Sequence, residues 1–467
     1  MKIYNTLNRK VEEFTPMRKG KVGMYNCGPT VYWHMHVGNL RAYAFVDLFR
    51  RTLIYLGYDV NQVMNLTDVG HLTEDDNEEE KMEKAAEREG KTVWDIAKYY
   101  TDSVYSDFEK MNYHIPDHVV KATDMIPEII TLIKKIEENG FTYETKEAVY
   151  FDVTKVPEYT KLQGGQKLED KLVGVREEVN VDLDKKHPAD FALWLKAVGK
   201  YKNHVMKWNS PWGEGFPGWH IECSTIGMKF IGEKIDIHTG GEDHPPVHHT
   251  NERAQNFGAT GTEVVNFWVH NAFMLIDSGK MSKSLGNVYN LNDVEEKGFD
   301  PMDLKYLYLT ANYRTKQNFT WENLKSAQVA RKSLVSRVNK LKELSLGRKG
   351  KVDKEYKEKF TVALEDDLNT PLALSVVWEM MKDEDLIYEN KLATILDFDK
   401  VFGLRLDDSE IKVDSDLKQK VEKLVKEREE AREKKEWDKA DSVRDELVKM
   451  GVEIEDTPEG TKWTIKE

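Results

Sequence analysis

The sequence predicts an α/β protein: a parallel-sheet domain built in two halves around an insertion, then a bundle of helices and a small C-terminal unit. Three observations carry that prediction. Residues 20 to 67 read as strand, glycine-containing loop, helix and strand; a second α/β block runs from about 203 to 290; and beyond residue 300 the segments turn charged and amphipathic. A strand-helix-strand unit makes its two strands parallel and places ligands at their carboxyl ends.

Taken in order, GKVGMYNC (20–27) is a short apolar strand bounded by glycine, and Gly28 and Pro29 mark the loop after it. Past Gly38, the residues Leu40, Ala44, Phe45, Leu48, Leu53 and Leu56 recur at helical spacing as far as Gly57, which predicts a helix capped there. DVNQVMNLT (59–67) is the second strand. Residues 74 to 135 read as mostly helical, and 141 to 200 as mixed, with a strand at EAVYFDV and the segment HPADFALWLK. FIGEKIDIHTGGEDH and VVNFWVHNAFMLI supply strand-loop signals in the second block. Charged amphipathic stretches between 321 and 404 fit a bundle. DDSE (407–410) is a linker, after which two helices precede a pair of short strands turning at Pro458 and Gly460. The predicted boundaries are 1–115 for the first half, 116–200 for the insertion, 201–300 for the second half with its basic loop, 301–405 for the bundle and 406–467 for the C-terminal unit.

At 467 residues the chain exceeds one hydrophobic core, and 40% hydrophobic content is ample to fill several. MKIYNTLNRKVEEF has no apolar leader and no uncharged run is long enough to span a bilayer, so the cytoplasm is the expected address and no membrane partner is expected. A reducing compartment disfavours a disulfide between the two cysteines, Cys27 and Cys223; reduced thiols or metal ligands are expected. A formal charge of −14 argues, on its own, against a nucleic-acid binder, because phosphate contacts need Lys and Arg. Part of that acidity is local to EDDNEEE (74–80), read as a solvated loop or helix start.

HVGN (36–39) puts a His and a Gly at the start of the first helix, where backbone N–H groups and the positive helix end suit a phosphate and Gly38 allows close approach. Alone, the tetrapeptide fits an ordinary helix start as well. GKMSKSLGN (279–287) carries Lys280 and Lys283 on a glycine-flanked loop, a cationic segment suited to charge developing on a leaving pyrophosphate. In PPVHHTNERAQ (245–255), His248 and Glu252 stand at i and i+4, on one face if the segment is helical, with His249 and Glu252 a substitute pair. With Cys27 and the Cys223 of GWHIECS they make a mixed S, S, N, O set suited to Zn2+. Spacing leaves open two buried thiols and an unrelated His/Glu pair.

HVGN early and KMSKS late resemble the two signature motifs of class I aminoacyl-tRNA synthetases. NTLNRKVEEF, YNCGPTVYWHMHVGN, NLTD, HPADFALWLK, GWHIECS, DIHTGGEDHPPVHHTNE, WVHNAF, KMSKSLGN, ALEDDLNTP and ADSVRDELVKMGVEIEDTPEGTKW resemble, in order from end to end, the cysteinyl-tRNA synthetase family. The resemblance implies a Rossmann-type catalytic domain that joins cysteine to AMP from ATP with Mg2+, releases pyrophosphate and passes cysteine to tRNA(Cys), in a monomer. It implies one zinc per chain on Cys27, Cys223, His248 and Glu252, holding the substrate thiolate so that serine is rejected without an editing domain. It places Gly28, Thr67, Trp219 and His238 with Cys27 around the cysteine, Thr67 facing its amino group. His36, Gly38, Asn39, Gly240, Gly241 and Asp243 fall to ATP, with Asp243 at the ribose, and Lys280 and Lys283 to the departing pyrophosphate. In the C-terminal unit, Arg428, Arg432, Lys434 and Lys435 are expected on tRNA phosphates and Trp463 stacked on an anticodon base.

The chain departs from the family pattern at Thr239, His244, Val247 and Thr250, and after NLTD it lacks the usual acidic pair, so no role is carried over there. His34, His71, His244 and His249 are extra, expected as solvated or supporting groups and not as a second metal site. Two other readings stand beside this one. A ligase joining cysteine to an amino sugar would share the catalytic half and need no anticodon-binding end; a non-catalytic tRNA-binding or zinc-scaffolding relative is disfavoured by the intact HVGN and KMSKS.

Overall fold

In the computed structural model the described residues are 1–70, 81–165, 184–279, 287–408, 415–450, 452–457 and 460–465. The acidic run 74–80, His71, Lys280 and Lys283 lie outside them.

β1 (Lys2–Asn5) and β2 (Lys10–Glu13) pair antiparallel at the start. β3 (Lys21–Asn26), α1 (Val37–Tyr55) and β4 (Asp59–Leu66) are the predicted strand-helix-strand unit, and β3 and β4 pair in parallel. The helix ends where the sequence indicates: Gly57, at φ 90°, turns the chain, and the Tyr58 N–H reaches back to the Leu53 carbonyl at 3.0 Å. α2 (Lys81–Glu89), α3 (Val93–Lys110), β5 (His118–Lys121) and α4 (Ile126–Glu138) follow. Next come β6 (Thr142–Glu144), β7 (Ala148–Phe151), β8 (Phe191–Lys196) and β9 (Gly215–Pro217), which form an antiparallel sheet in that order.

α5 (Trp219–Phe230), β10 (Ile235–Gly241), α6 (His248–Thr260) and β11 (Val265–Asn271) complete the central sheet. Its order is β11-β10-β3-β4-β5 and every pairing is parallel. Successive strand residues point to opposite faces. Met24, Phe267 and Val269 therefore pack with Leu40 and Phe49 of α1 on one side. Tyr25 and Trp268 pack with Ile129 of α4, Ile226 of α5 and Ala254 of α6 on the other. The result is a helix-sheet-helix sandwich whose ligand edge is the carboxyl end of the strands.

β12 (Met274–Ile276) pairs in parallel with β13 (Gln317–Phe319), and α7 (Leu291–Glu296) and α8 (Pro301–Leu309) lie between them in sequence. After β12, Asp277 and Ser278 take φ 48° and 63°, the double left-handed geometry of a tight hairpin turn, closed by reciprocal bonds between Ile276 and Gly279. The KMSKS run begins at the next residue. α9 (Trp321–Ser345), α10 (Lys354–Glu365), α11 (Thr370–Lys382) and α12 (Tyr388–Phe402) form the predicted bundle, with Phe360 stacked on Phe398 at 3.9 Å between centroids. α13 (Ser415–Glu433), α14 (Trp437–Lys449), β14 (Val452–Thr457) and β15 (Gly460–Ile465) share a small core of their own around Val421, Leu447 and Val452.

α1 is buried nearly all round, so its charged residues need internal partners. Asp47 Oδ2 accepts from Arg51 Nε at 2.8 Å and Lys305 Nζ at 3.0 Å, and Oδ1 from the His114 N–H at 2.9 Å. Burial alone would raise the Asp47 carboxyl, but Lys305 and Arg51 hold it below the usual range. Burial pushes Lys305 down to about 8 against the pull of that carboxylate. Arg51 also donates to the Lys400 carbonyl, which fastens α1 to α12. Asp47→Ala strands two interior cations; an unfolding free energy lower by about 3–5 kcal/mol is expected in denaturant melts. Asp59→Ala, which removes an exposed partner 3.8 Å from Lys21, serves as a control that leaves the melt in place.

Candidate metal centre and active site

β3 and β10 run side by side, with Ile237 opposite Met24, His238 opposite Tyr25 and Thr239 opposite Asn26. Cys27 leaves β3 at the carboxyl edge, and its N–H bonds the Thr239 carbonyl at 3.4 Å. The next residue has to be glycine. A Cβ on Gly28 would sit 1.6 Å from the Asn65 carbonyl oxygen of β4, because the chain crosses that strand end in contact with it.

Two helices aim the remaining donors at Cys27. α5 presents Cys223 one turn in, with Cys223 Sγ 3.9 Å from Cys27 Sγ. α6 begins at His248, so the i, i+4 pair does share a face: His248 Nε2 stands 3.0 Å from Glu252 Oε1. Cys223 Sγ lies 3.6 Å from His248 Nε2, and Cys27 Sγ 3.7 Å from Glu252 Oε1. A tetrahedral zinc with bonds of ~2.3 Å to sulfur and ~2.0–2.1 Å to nitrogen or oxygen has donor-donor edges of roughly 3.3–3.8 Å. These four edges match that figure to within a few tenths of an ångström, and all four donor atoms lie within 4.8 Å of one another.

A second set, Cys27, His238, His249 and Glu252, also converges. Its edges fit less well. His238 Nε2 to Glu252 Oε2 is 2.8 Å, a hydrogen bond, while His249 Nε2 to Glu252 Oε1 is 3.8 Å, and the set has one thiol in place of two. These histidines bond to members of the first set. His238 fixes the far oxygen of Glu252; His220 Nδ1 meets His248 Nδ1 at 2.8 Å, leaving His248 Nε2 for the donor cluster. His249 is fully buried, its Nε2 3.3 Å from Cys27 Sγ and its Nδ1 2.7 Å from His270 Nε2, and His270 Nδ1 in turn lies 2.7 Å from the Thr6 hydroxyl. His244 Nδ1 is 3.2 Å from His249 Nε2, and both rings lie where a Cβ on Gly240 would be. His34 is remote from this cluster in its bonding, meeting the Ser103 hydroxyl at 2.8 Å.

Charge follows from this packing. Burial would raise the Glu252 carboxyl, yet facing His238 and His248 it is held well below the usual carboxylate range. Burial would lower His248, yet Glu252 and Cys223 lift it to about 10. Burial, with the rings around them, drives His249 and His270 well below the usual imidazole range, and His244 down to about 4. Burial raises the Cys27 thiol. A metal entering here would displace the His248 proton and the thiol protons.

Around this centre, Asn65 is a hub the sequence did not reveal. Its Oδ1 accepts from the Gly28 N–H at 2.7 Å and the Tyr25 hydroxyl at 3.2 Å, and its Nδ2 donates to Thr67 Oγ1 at 3.0 Å. Trp219, at the first turn of α5, is 37% exposed with its ring centroid 4.6 Å from that of His248, so it borders the donor cluster and is not a core anchor. At the HVGN turn, His36 is the N-cap of α1: its Nδ1 accepts from the Asn39 N–H at 3.1 Å while Asn39 Oδ1 accepts from the His36 N–H at 3.2 Å. That reciprocal cap puts the proton of neutral His36 on Nε2. The Tyr43 hydroxyl, two turns along, reaches the Cys27 carbonyl at 3.4 Å and ties the helix to the donor cluster. Gly241 and the exposed Asp243 sit at the end of β10.

In the C-terminal unit, Arg428 is buried and donates to Thr461 Oγ1 at 3.4 Å, so it joins α13 to β15 and does not face outward as the phosphate contact expected of it. Arg432 is half-buried, and Lys434 and Lys435 are exposed at the turn into α14. Trp463 stands opposite Ile454 on β15; its side chain lies outside the described set.

Residues 13–329 match the family described as tRNA synthetases class I (C) catalytic domain, 359–406 the DALR domain and 414–463 the cysteinyl-tRNA ligase anticodon binding domain. The chain is similar to the cysteine-tRNA ligase of Treponema denticola, at 44% identity over 99% of each chain. It is 42% identical to cysteine-tRNA ligase 1 of Burkholderia lata, over 98% of this chain and 96% of that one. It is 39% identical to the Zymomonas mobilis enzyme of the same name, over 99% and 97%. The methionyl-tRNA synthetase of Mycobacterium tuberculosis, solved with methionyl-adenylate, shares the fold at a TM-score of 0.55, 13% identity and coverage of 82% of this chain and 90% of that one.

The two donor sets predict different outcomes on mutation. Cys223→Ser is expected to strip most of the zinc measured by elemental analysis of purified protein, while His249→Asn retains it; the reverse pattern would select the second set.

Proposed function

Because the chain belongs to the cysteine-tRNA ligases of class I, we propose that it activates L-cysteine with ATP, forming cysteinyl-adenylate and pyrophosphate, and transfers cysteine to the 3' end of tRNA(Cys). The observation that carries the substrate choice is the Cys27, Cys223, His248, Glu252 cluster at the carboxyl edge of the sheet. Those four residues would hold zinc, which would supply a Lewis acid favouring the thiolate form of a substrate thiol. Serine differs from cysteine by oxygen for sulfur, and a pocket relying on shape separates such analogues only ~10- to 200-fold. An alcohol ionises far less readily than a thiol and is a poorer ligand for a borderline-soft ion, so the donor set selects by chemistry what shape cannot.

The protein's own groups position the rest. Trp219 and His238 wall the cysteine side chain, Gly28 lets the substrate lie against the strand end, and the Thr67 hydroxyl faces the ammonium. Gly240, Gly241 and Asp243 take the ribose. The His36 Nε2–H and the helix start at Gly38 and Asn39 take the phosphates, with Mg2+ accompanying ATP. The substrate carboxylate attacks the α-phosphorus in line, and Lys280 and Lys283 counter the charge on the leaving pyrophosphate. No side-chain nucleophile is needed.

The match of 414–463 to an anticodon-binding domain favours tRNA over an amino sugar as acceptor. Arg432, Lys434, Lys435 and Trp463 supply tRNA contacts there. Among the described residues no helix is long and apolar enough to cross a membrane. We take the enzyme to act in the cytoplasm as a monomer. Pyrophosphate exchange dependent on cysteine, at least a thousandfold weaker with serine at equal concentration, is the expected result, together with charging of tRNA(Cys). Exchange without charging would favour the sugar-linked ligase, and equal exchange with serine would sink the thiolate argument. Cys27→Ser should raise the KM for cysteine far more than that for ATP.

A further inference from the structure

Thr67 is held through both its backbone and its hydroxyl. Its carbonyl accepts from the Val31 N–H at 3.1 Å and its own N–H donates to the Pro29 carbonyl at 3.2 Å, so its backbone cannot turn. Its hydroxyl donates to Glu222 Oε2 at 3.0 Å and accepts from Asn65 Nδ2 at 3.0 Å. A hydroxyl has one proton and two lone pairs. With the proton committed to Glu222 and one lone pair to Asn65, what Thr67 offers a ligand is a single acceptor.

Glu222 sets that polarity. It lies on α5 immediately before Cys223, is fully buried, and takes the Thr67 proton. Asp68, also buried, is turned away to the Thr123 N–H and hydroxyl at 3.0 and 2.7 Å. An acceptor whose own proton is committed to a carboxyl oxygen suits an N–H donor such as an ammonium. Resting on the functional reading above, we propose that Glu222 is a positioning residue for the α-ammonium of the amino-acid substrate, acting through Thr67, and that it makes the enzyme demand an amine on any thiol it binds. The cluster around Cys27 reads the side chain; Glu222, Thr67 and Asn65 read the other end.

The test compares L-cysteine with 3-mercaptopropionate, which keeps the thiol and carboxylate and lacks the amine. In zinc-loaded full-length protein, Glu222→Gln should raise the KM for cysteine in pyrophosphate exchange by about tenfold or more. The inhibition constant of 3-mercaptopropionate should stay within about twofold, because the lost interaction is one that ligand never makes, and zinc content should not change. Thr67→Val deletes the hydroxyl at nearly constant shape and should narrow the same ratio; it carries the test where Glu222→Gln does not yield folded protein. Parallel weakening of both ligands, or an unchanged ratio, overturns the proposal while leaving the enzyme's identity intact. Wild-type protein without cysteine-dependent exchange overturns the functional reading, and this one with it.

Discussion

The parallel pairing of β3 with β10 is the constraint from which the site follows. Three residue pairs, from Met24 opposite Ile237 to Asn26 opposite Thr239, join segments more than two hundred residues apart. They bring Cys27 beside His238 at one sheet edge. A one-residue slip would turn every side chain of one strand to the opposite face. Tyr25 and Met24 would then exchange cores, and the loop carrying Cys27 would leave α6. The close crossing of Gly28 over Asn65 fixes the same edge against β4, so three strands agree on where the cysteine stands.

A buried carboxylate organises what that edge collects. Glu252 is almost wholly out of water, and its two oxygens are divided, one toward His238 and one toward His248 and the Cys27 thiol. Desolvation of such a charge is compensated only by close partners of the right sign or by a metal. The surrounding imidazoles play two roles. His248 carries positive charge while the donors are protonated, whereas His249, His270 and His244 are kept neutral by burial and by one another. Neutral rings can pass orientation from one to the next without adding repulsion, which is how a line of histidines reaching to Thr6 packs tightly behind one cysteine.

α1 links this edge to the rest of the molecule. Its first turn is stiffened by the His36 and Asn39 cap, its middle touches Cys27 through Tyr43, and its last turns are bound to the bundle through Asp47, Arg51 and Lys305. Arg41 adds a second tie, donating to the carbonyls of Ala272 and Thr315 at 2.6 and 2.7 Å, on the segments that lead into β12 and out toward β13. The hairpin preceding the KMSKS run is thereby referred to the same helix that carries HVGN. Charged side chains inside a helix that is buried all round serve as joints, because each must find a partner on a neighbouring element.

The sequence by itself determined the local elements and nominated the candidate ligand types. Apolar spacing and Gly57 set α1, the i, i+4 relation of His248 and Glu252 set one half of the donor cluster, and resemblance added the two cysteines to it. Those signals are local or carried by motif, so they survive without knowledge of the fold. Arg428 shows the limit: a basic residue on a charged helix reads as surface, yet the small core of the C-terminal unit turns it inward to Thr461. Only the tertiary structure revealed which histidines bond to the proposed donors, and that two overlapping sets converge on Cys27 and Glu252. It alone brought Glu222, Thr67 and Asn65 into one chain of bonds. Burial and hydrogen-bond partnership across distant segments are properties of the packed chain, and neither leaves a period or a spacing in the sequence that could announce it.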